Sequence, residues 1–166
     1  MESLTSPARG SRTSTADVAR EETGVRKLRL DSLHVLPRNA TVHRARVERF
    51  IERRYLDRFG SRIIEHYPTF LSLQSDDGNV RATIGVRNAS REPLFLERYF
   101  DEPIERMISH ATGATPARAD ILEIGNMASV GRIASARLIA ASASYLSTSR
   151  CRYAVVTATE ELRCKC

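Results

Sequence analysis

The stretch that most constrains the fold runs from residue 117 to residue 159 and predicts a strand, a helix and a second strand. ARADILEIGNMAS has the apolar run of a strand, VGRIASARLIAASASYLSTS has the length and composition of a helix, and CRYAVVTAT is again strand-like. Strands joined in this way form a parallel pair through a right-handed crossover. The chain is therefore predicted to contain a sheet with a parallel pair and a helix on its face.

The residues before this unit indicate further strands and helices. VRKLRLDSLHVLPRN alternates like a strand, and VHRARVERFIERRYLDRFG has apolar residues at helical spacing up to Gly60. HYPTFLSLQS and NVRATIGVRNAS are strand-like runs separated by DDG, a hairpin signal, and Gly85 indicates a bulge or a close backbone approach. DEPIERMISHATG indicates a short helix with Asp101 as N-cap and Gly113 at its end. The predicted fold class is α/β, with a mixed (α+β) sheet and helices on its faces.

Length and composition indicate one globular domain. The chain has 166 residues, 42% of them hydrophobic, and no run approaches the roughly 18 apolar residues of a membrane span. Residues 1–25 are rich in Ser, Thr, Arg and Gly without apolar periodicity, which predicts a disordered leader before a domain over residues 26–166. Because this leader lacks the apolar middle of a secretory signal, a cytoplasmic protein is expected.

The charge indicates an anionic partner without choosing one. The net charge is +6, mostly from arginine outside the first 25 residues, and it would attract nucleic acid, acidic lipid, an acidic carrier protein or a phosphorylated cofactor. Aromatic residues make up 6% with no Trp, so specific nucleic-acid binding is not expected. The three cysteines and four histidines lack ligand spacing, and no metal site is predicted.

The polar face of the first helix is arginine-rich and has two interpretations. It is either a solvated face with ion pairs at i,i+4 spacing, or a surface for a membrane or an acidic partner. Its charged residues are Arg44, Arg46, Arg49, Arg53, Arg54 and Arg58 beside Glu48, Glu52 and Asp57.

The turn between the strand ILEIGN and the following helix is a candidate anion site. The first N–H groups of a helix have no partner within it and lie at its positive end, so they can bind a phosphate. The alternative is a plain connection capped by Ser129. The candidate binding residues are Val130, Gly131, Arg132, Ile133, Ala134 and Ser135, with Arg132 able to add a charge-assisted hydrogen bond.

Two carboxylates are candidates for catalysis. Glu123 lies in an apolar strand, so it is either exposed at a polar pleat position or buried with a raised pKa, which would suit a general base. Alternation places Glu123 and Gly125 on one face of the strand, with Leu122 and Ile124 on the other. Glu97 in LFLERY has the same two interpretations. Asn126 could bind substrate or shape the strand end.

Six segments together resemble the thermostable haemolysin family. They are FIERRY, HYPTFLSL, TIGVRNAS, PLFLERYFDEPIE, LEIGNMAS and VVTATEELR, within residues 41–163. That family is similar to a branch of the GNAT-type N-acyltransferase fold, close in layout to the homoserine-lactone autoinducer synthases. The resemblance implies a cytoplasmic bacterial protein that takes an acyl group from acyl-CoA or an acyl-carrier protein, with no tightly bound cofactor. It also implies that Glu97 could hold the acceptor amine.

The sequence departs from this pattern in two places. The best register for the GNAT phosphate motif is GRIASA, where Ala134 and Ala136 fill the two tight positions but Gly131 replaces the leading Gln or Arg. The chain also ends in CKC soon after Leu162 and Arg163, where family members continue. A GNAT-like domain lacking its last helix and strands, from a truncated or frame-shifted reading frame, is therefore expected.

Three functions remain open at this point. The first is an acyltransferase that moves an acyl group to a small amine, with Glu123 and Glu97 as base and substrate anchor and an acidic acyl-carrier protein as a possible donor. The second is a haemolytic effector that acts on membranes through the basic first helix. The third is an inactive remnant.

Overall fold

Five strands form one sheet in the order in which they occur along the chain. The computed structural model describes residues 31–63 and 65–156. The strands are β1 (Ser32–Pro37), β2 (Thr69–Gln74), β3 (Val80–Asn88), β4 (Ile121–Ser129) and β5 (Tyr153–Val156). Strands β1 to β4 pair antiparallel with their neighbours, whereas β5 pairs parallel with β4. The predicted α/β class, with a mixed sheet and one parallel pair, is confirmed.

Helices lie on both faces of this sheet. They are α1 (Thr41–Phe59), α2 (Ile104–Thr112) and α3 (Arg132–Ser147). Helix α3 joins β4 to β5 and packs Leu138 against Leu71 and Leu122 on one face. Helix α1 packs Val47 and Ile51 on the other face. Because neighbouring strand residues point to opposite faces, Leu122 faces α3, and Glu123 faces the α1 side, as predicted.

Helix α1 is held to the sheet by an apolar face and by one arginine. Val47 and Ile51 have no exposed surface, and Gly60 ends the helix in the left-handed conformation with φ 62°. Arg44 was predicted on the solvated face, and that assignment is wrong. Its guanidinium is buried, donates hydrogen bonds to the carbonyls of Tyr67 and Pro68 at 2.6 and 3.0 Å, and lies over an aromatic ring.

The β2–β3 hairpin turns at DDG, as the sequence predicts. Gly78 has φ 75°, and its N–H donates to the Ser75 carbonyl. The pairing of β3 with β4 shifts register just before Gly85. A Cβ added to Gly85 would lie 2.6 Å from the Cβ of Tyr67. Of the two alternatives predicted for Gly85, the bulge is present, with its extra residue on β4, and the close approach is made by a side chain instead of a backbone.

Helix α2 and the turn before it form a third apolar layer. A 3-10 turn spans Leu96–Tyr99, and its Leu96 packs with Ile104 and Ile108 of α2. Gly113 ends α2 as predicted, with φ 71°. Asp101 does not cap the helix, because Pro103 occupies the N-cap position, and the N–H of Ile104 donates to Glu97 instead.

No helix among residues 31–63 and 65–156 is long and apolar enough to cross a membrane. The predicted leader (residues 1–25) and the predicted C-terminal helix start (residues 160–166) lie outside the described part of the chain.

Candidate active site

Strand β4 has a bulge in its second half. It pairs with β3 along its length, and a one-residue bulge separates Gly125 from Ala128 in the β3 register. Asn126 lies in this bulge with φ 46°, the one non-glycine residue with positive φ in the described part of the chain. The bulge therefore lies in the half of β4 that leads into α3.

The bulge is held by a hydrogen bond from the backbone next to β2. The Asn126 Oδ1 accepts it from the backbone N–H of Tyr67 at 3.0 Å. Tyr55 of α1 lies next to the Met127 backbone, and burial raises the pKa of Tyr55. Asn126 thus shapes the strand end, which is one of the two roles the sequence left open for it.

Helix α3 begins directly after β4, and its first turn is uncapped. Gly131 is the N-cap, and no side chain bonds the free N–H groups. Ser129 does not cap them, since its Oγ lies 2.7 Å from the Oγ of Ser135. The six predicted binding residues divide into two groups. The N–H groups of Val130 and Ser135 donate to the carbonyls of Arg81 and Gly131. The N–H groups of Arg132, Ile133 and Ala134 belong to the first turn and have no partner within the helix.

Exposed apolar side chains surround this junction. Met127, Val130 and Ile133 expose 39%, 44% and 74% of their surface, whereas Ala134 is buried against the sheet. The side chain of Arg132 is exposed beside them. An anion bound at the helix start would therefore lie next to an apolar strip along β4, with one cation close by.

Glu123 is fully buried on the α1 face of β4. Its two carboxylate oxygens accept hydrogen bonds from the backbone N–H groups of Phe95 and Leu96, both at 2.8 Å. The buried alternative of the two that the sequence left open is therefore the observed one. These contacts join the middle strand of the site to the start of the 3-10 turn.

The Tyr67 ring fills a slot that two glycines leave open. Gly85 and Gly125 are directly opposite each other in the β3–β4 register, and a Cβ on either would overlap the ring. The Arg87 guanidinium lies 4.8 Å from the ring centroid. The hydroxyl lies next to Gly125, and the pKa of Tyr67 is raised well above its usual value, first by burial and then by the charge of Glu123. Sequence reasoning missed Tyr67, although two glycines inside strands were a signal that an aromatic ring lies against them.

Arg87 is buried and ties this region to its surroundings. It donates to the Pro93 carbonyl at 3.1 Å and to Glu65 at 2.6 Å. Arg98 reaches the other oxygen of Glu65, also at 2.6 Å. Hydrogen bonding to Arg87 and Arg98 lowers the pKa of Glu65 despite the opposing effect of burial.

Glu97 belongs to a separate ion-pair cluster. Arg118 binds it through two hydrogen bonds of 2.8 and 3.0 Å, and the N–H groups of Leu94 and Ile104 add two more. These contacts, that with Arg118 first, lower the pKa of Glu97 to about 2. The same arginine also bonds Glu105. Glu97 and Glu123 thus anchor the same turn from opposite sides, and Glu97 is ionised with its oxygens occupied, which is the reverse of a raised pKa.

The remaining predicted features are scattered. Arg53 on α1 lies 3.8 Å from Asp57 and is largely exposed, as the solvated-face interpretation predicts for a pair at i,i+4 spacing. Among the residues that the structure describes, no group of His, Cys, Asp and Glu side chains could hold a metal ion.

Comparison with known sequences places the chain in a family. Residues 38–165 match the family described as thermostable hemolysin. The chain belongs to the thermostable haemolysin family. No protein of curated function matches the sequence.

Two solved structures share the fold. The first is that of the AHL synthase LasI, with a TM-score of 0.58 and 15% sequence identity over 81% of this chain and 75% of that one. The second is that of TofI in a ternary complex with an inhibitor and MTA, with a TM-score of 0.50 and 11% identity over 75% of this chain and 71% of that one. At these identities the likeness concerns the fold, and this thermostable haemolysin has the acyltransferase fold of AHL synthases, as the resemblance implied.

Proposed function

We propose that this thermostable haemolysin is an N-acyltransferase that moves an acyl group from acyl-CoA or an acyl-carrier protein to a small amine. One observation carries the proposal. The bulged half of β4 leads straight into the uncapped start of α3, and a buried carboxylate lies on the same strand. An AHL synthase among the similar folds supports an acyl donor.

The donor would bind at the start of α3. Its phosphates, or that of a carrier protein, would meet the N–H groups of Arg132, Ile133 and Ala134 and the Arg132 guanidinium. The pantetheine arm next to the phosphates would contact the exposed Met127 and Val130.

The acceptor amine would react on the α1 face of β4. Glu123 would accept the proton that the amine must lose before its nitrogen attacks the thioester carbonyl. The amide bond then forms, the carbon–sulfur bond breaks, and the thiolate leaves with a proton from the amine. Glu97 would serve as a positioning residue, because it holds, with Arg118, the turn whose N–H groups bind Glu123.

Donor binding can be tested without knowing the acceptor. A ligand that binds only the folded state stabilises it by about 2.7 kcal/mol at 100 times its Kd, which raises the melting temperature of a chain of this length by roughly 5–10 °C. We expect octanoyl-CoA to produce this shift. Arg132→Ala should reduce it, whereas Arg150→Ala, an exposed arginine beyond the other end of α3, should not. The absence of any shift with octanoyl-CoA and with an octanoylated carrier protein would contradict the proposal and favour an inactive remnant.

Transfer itself can be followed by thiol release from octanoyl-CoA with a panel of free amino acids and their lactones. Glu123→Gln should keep octanoyl-CoA binding but lower the rate of amide formation by about 10²–10⁴-fold. Glu48→Gln is the matched control, since Glu48 is a partly buried acid on α1 with an arginine partner. An unchanged rate in Glu123→Gln would exclude Glu123 as the base.

The membrane-active alternative cannot depend on the buried face of α1. The apolar residues Val47 and Ile51 pack against the sheet while the domain is folded, and the apolar side chains that α1 exposes are Val42, Leu56 and Phe59. Leakage of dye from anionic vesicles on addition of the purified protein alone would support the membrane-active alternative.

A further inference from the structure

We infer that the outer face of α1 binds the surface of an anionic lipid bilayer while the helix stays packed on its sheet. The inference goes beyond the proposed acyl transfer and does not depend on it. It concerns attachment of the folded domain to an intact bilayer and not lysis of that bilayer.

Five exposed residues form one line along α1, on the side that faces away from the sheet. Steps of four and three residues alternate from position 42 to position 56, and such positions share one face of an α-helix. The buried residues Arg44, Val47 and Ile51 follow the same steps on the opposite face. At 1.5 Å per residue the line is roughly 21 Å long. We call it the outer line of α1, and its members are Val42, Arg46, Arg49, Arg53 and Leu56.

The two ends of the outer line are apolar. Val42 and Leu56 expose 75% and 51% of their surface, and Phe59, one turn beyond Leu56, exposes 52%. These side chains have no place in the core, because the opposite face of α1 already packs on the sheet. A bilayer surface would remove them from water, since the apolar side chains of a surface helix enter the boundary between headgroups and acyl chains.

The middle of the outer line is cationic. Arg49 has no ion-pair partner among residues 31–63 and 65–156. Arg53 lies 3.8 Å from Asp57, and its side chain is 85% exposed. Arg46 donates a hydrogen bond of 2.9 Å to the Gly78 carbonyl, a neutral group that leaves its charge uncompensated. The three guanidinium groups are therefore available to anions outside the protein.

Two acids of α1 are bound on the inner side of the helix. Glu48 pairs with the buried Arg44 at 2.8 Å, and Glu52 binds His66 of the segment before β2 at 2.9 Å. Because these carboxylates have partners of their own, they do not neutralise the outer line. The charges of α1 are thus separated, with an excess of positive charge facing solvent.

This order of side chains fits a lipid surface better than an acidic protein. Arginine side chains are long enough to hold their guanidinium groups at the level of the lipid phosphates while shorter apolar neighbours reach below them. An acidic protein would satisfy the three arginines but would leave the role of Val42 and Leu56 open. The combination of a cationic middle and apolar ends therefore assigns the outer line to anionic lipid.

Binding can be measured by sedimentation with vesicles. At about 0.1 M salt, where charges act over about 10 Å, we expect the protein to sediment with vesicles of phosphatidylcholine and phosphatidylglycerol but not with phosphatidylcholine alone. Arg49→Glu combined with Arg53→Glu should lower the partition coefficient at least about 25-fold, since each arginine near an anionic surface contributes about fivefold. Circular dichroism should show both variants folded, because the two side chains are exposed.

A matched pair of substitutions separates the outer line from the net charge of the chain. Arg150→Glu combined with Arg152→Glu makes the same change in charge at two exposed arginines between α3 and β5. We expect this pair to keep most of the vesicle binding. Equal losses for the two pairs would overturn the inference, since they would show a general attraction of a cationic protein.

The depth of the helix can be read from an introduced indole, because the chain contains no Trp. The emission of Leu56→Trp should shift to shorter wavelength when phosphatidylglycerol vesicles are added, as the indole leaves water. Ile139→Trp, at a position of α3 that is 59% exposed, should show no shift. Sedimentation without a shift at position 56 would indicate binding by charge alone, as to an acidic protein, and would overturn the assignment to lipid.

Discussion

The slot for the Tyr67 ring makes a quantitative prediction about two glycines. In Gly125→Ala the new Cβ would lie 2.5 Å from Cζ and 2.8 Å from Cε2 of the ring, where carbon atoms normally keep about 3.5–4.0 Å. Such overpacking costs about 1–3 kcal/mol, and the lower entropy of an alanine in the unfolded chain returns about 0.4–1 kcal/mol. We expect Gly125→Ala to lower the free energy of unfolding by about 1–2 kcal/mol.

A second background shows whether the ring is the cause. Tyr67→Leu keeps Cβ and Cγ but removes the atoms that Gly125→Ala would strike. The cost of Gly125→Ala should therefore nearly vanish in Tyr67→Leu, a coupling energy of about 1–2 kcal/mol. The cost of Gly85→Ala should persist there, because its Cβ would meet the Cβ and Cγ of residue 67 at 2.6 and 2.8 Å.

Urea unfolding followed by far-ultraviolet circular dichroism measures these differences. Gly131→Ala is the control, since a Cβ there meets nothing within 4 Å, and it should change the free energy of unfolding by less than about 0.5 kcal/mol. An equal cost of Gly125→Ala with tyrosine and with leucine at position 67 would refute the packing argument.

Three further predictions compare buried or paired charged side chains with an exposed one. Contacts with Arg118 lower the pKa of Glu97 from 4.5 to about 2, so they stabilise the fold above about pH 4.5, and this stability is lost as the pH falls towards 2. Glu97→Gln should therefore flatten that part of an acid unfolding curve. An unchanged curve would contradict the ion pair between Glu97 and Arg118 as a source of stability. Arg44→Met should lower the free energy of unfolding by about 1.5–3 kcal/mol, since the carbonyls of Tyr67 and Pro68 lose a charged donor. A loss below about 0.5 kcal/mol, which is on the order of the experimental error, would contradict this prediction. Arg53→Met, by contrast, should change it by less than about 0.5 kcal/mol in urea unfolding, because its pair with Asp57 is solvated.

Local patterns predicted the elements of this fold because each depends on neighbours in the chain. Helix α1, the DDG hairpin and the strand–helix–strand unit around α3 follow from apolar spacing and turn residues. The same patterns misassigned Asp101 as a cap, because a cap depends on where the chain enters the helix, and here Pro103 occupies that position.

Local sequence patterns predicted only part of the candidate site. Spacing marked Glu123 and the start of α3, and alternation assigned Glu123 to the face it occupies. Periodicity could not separate the surroundings of Glu123 from those of Glu97, since both lie in apolar runs. The fold buries one against backbone N–H groups and pairs the other with Arg118, which lies 21 positions away.

The sequence by itself determined the elements, their order and the parallel crossover, since these rest on interactions between residues close in the chain. Only the tertiary structure decided which polar groups are buried and what they bind. Gly85 lies in β3, Gly125 in β4 and Tyr67 two residues before β2, and their complementarity exists only once β2, β3 and β4 lie side by side. Burial and hydrogen-bond partners depend on residues far apart in the chain. They decide that Glu123 is a candidate base and that Glu97 is the anchor of an ion pair, although both lie in apolar runs.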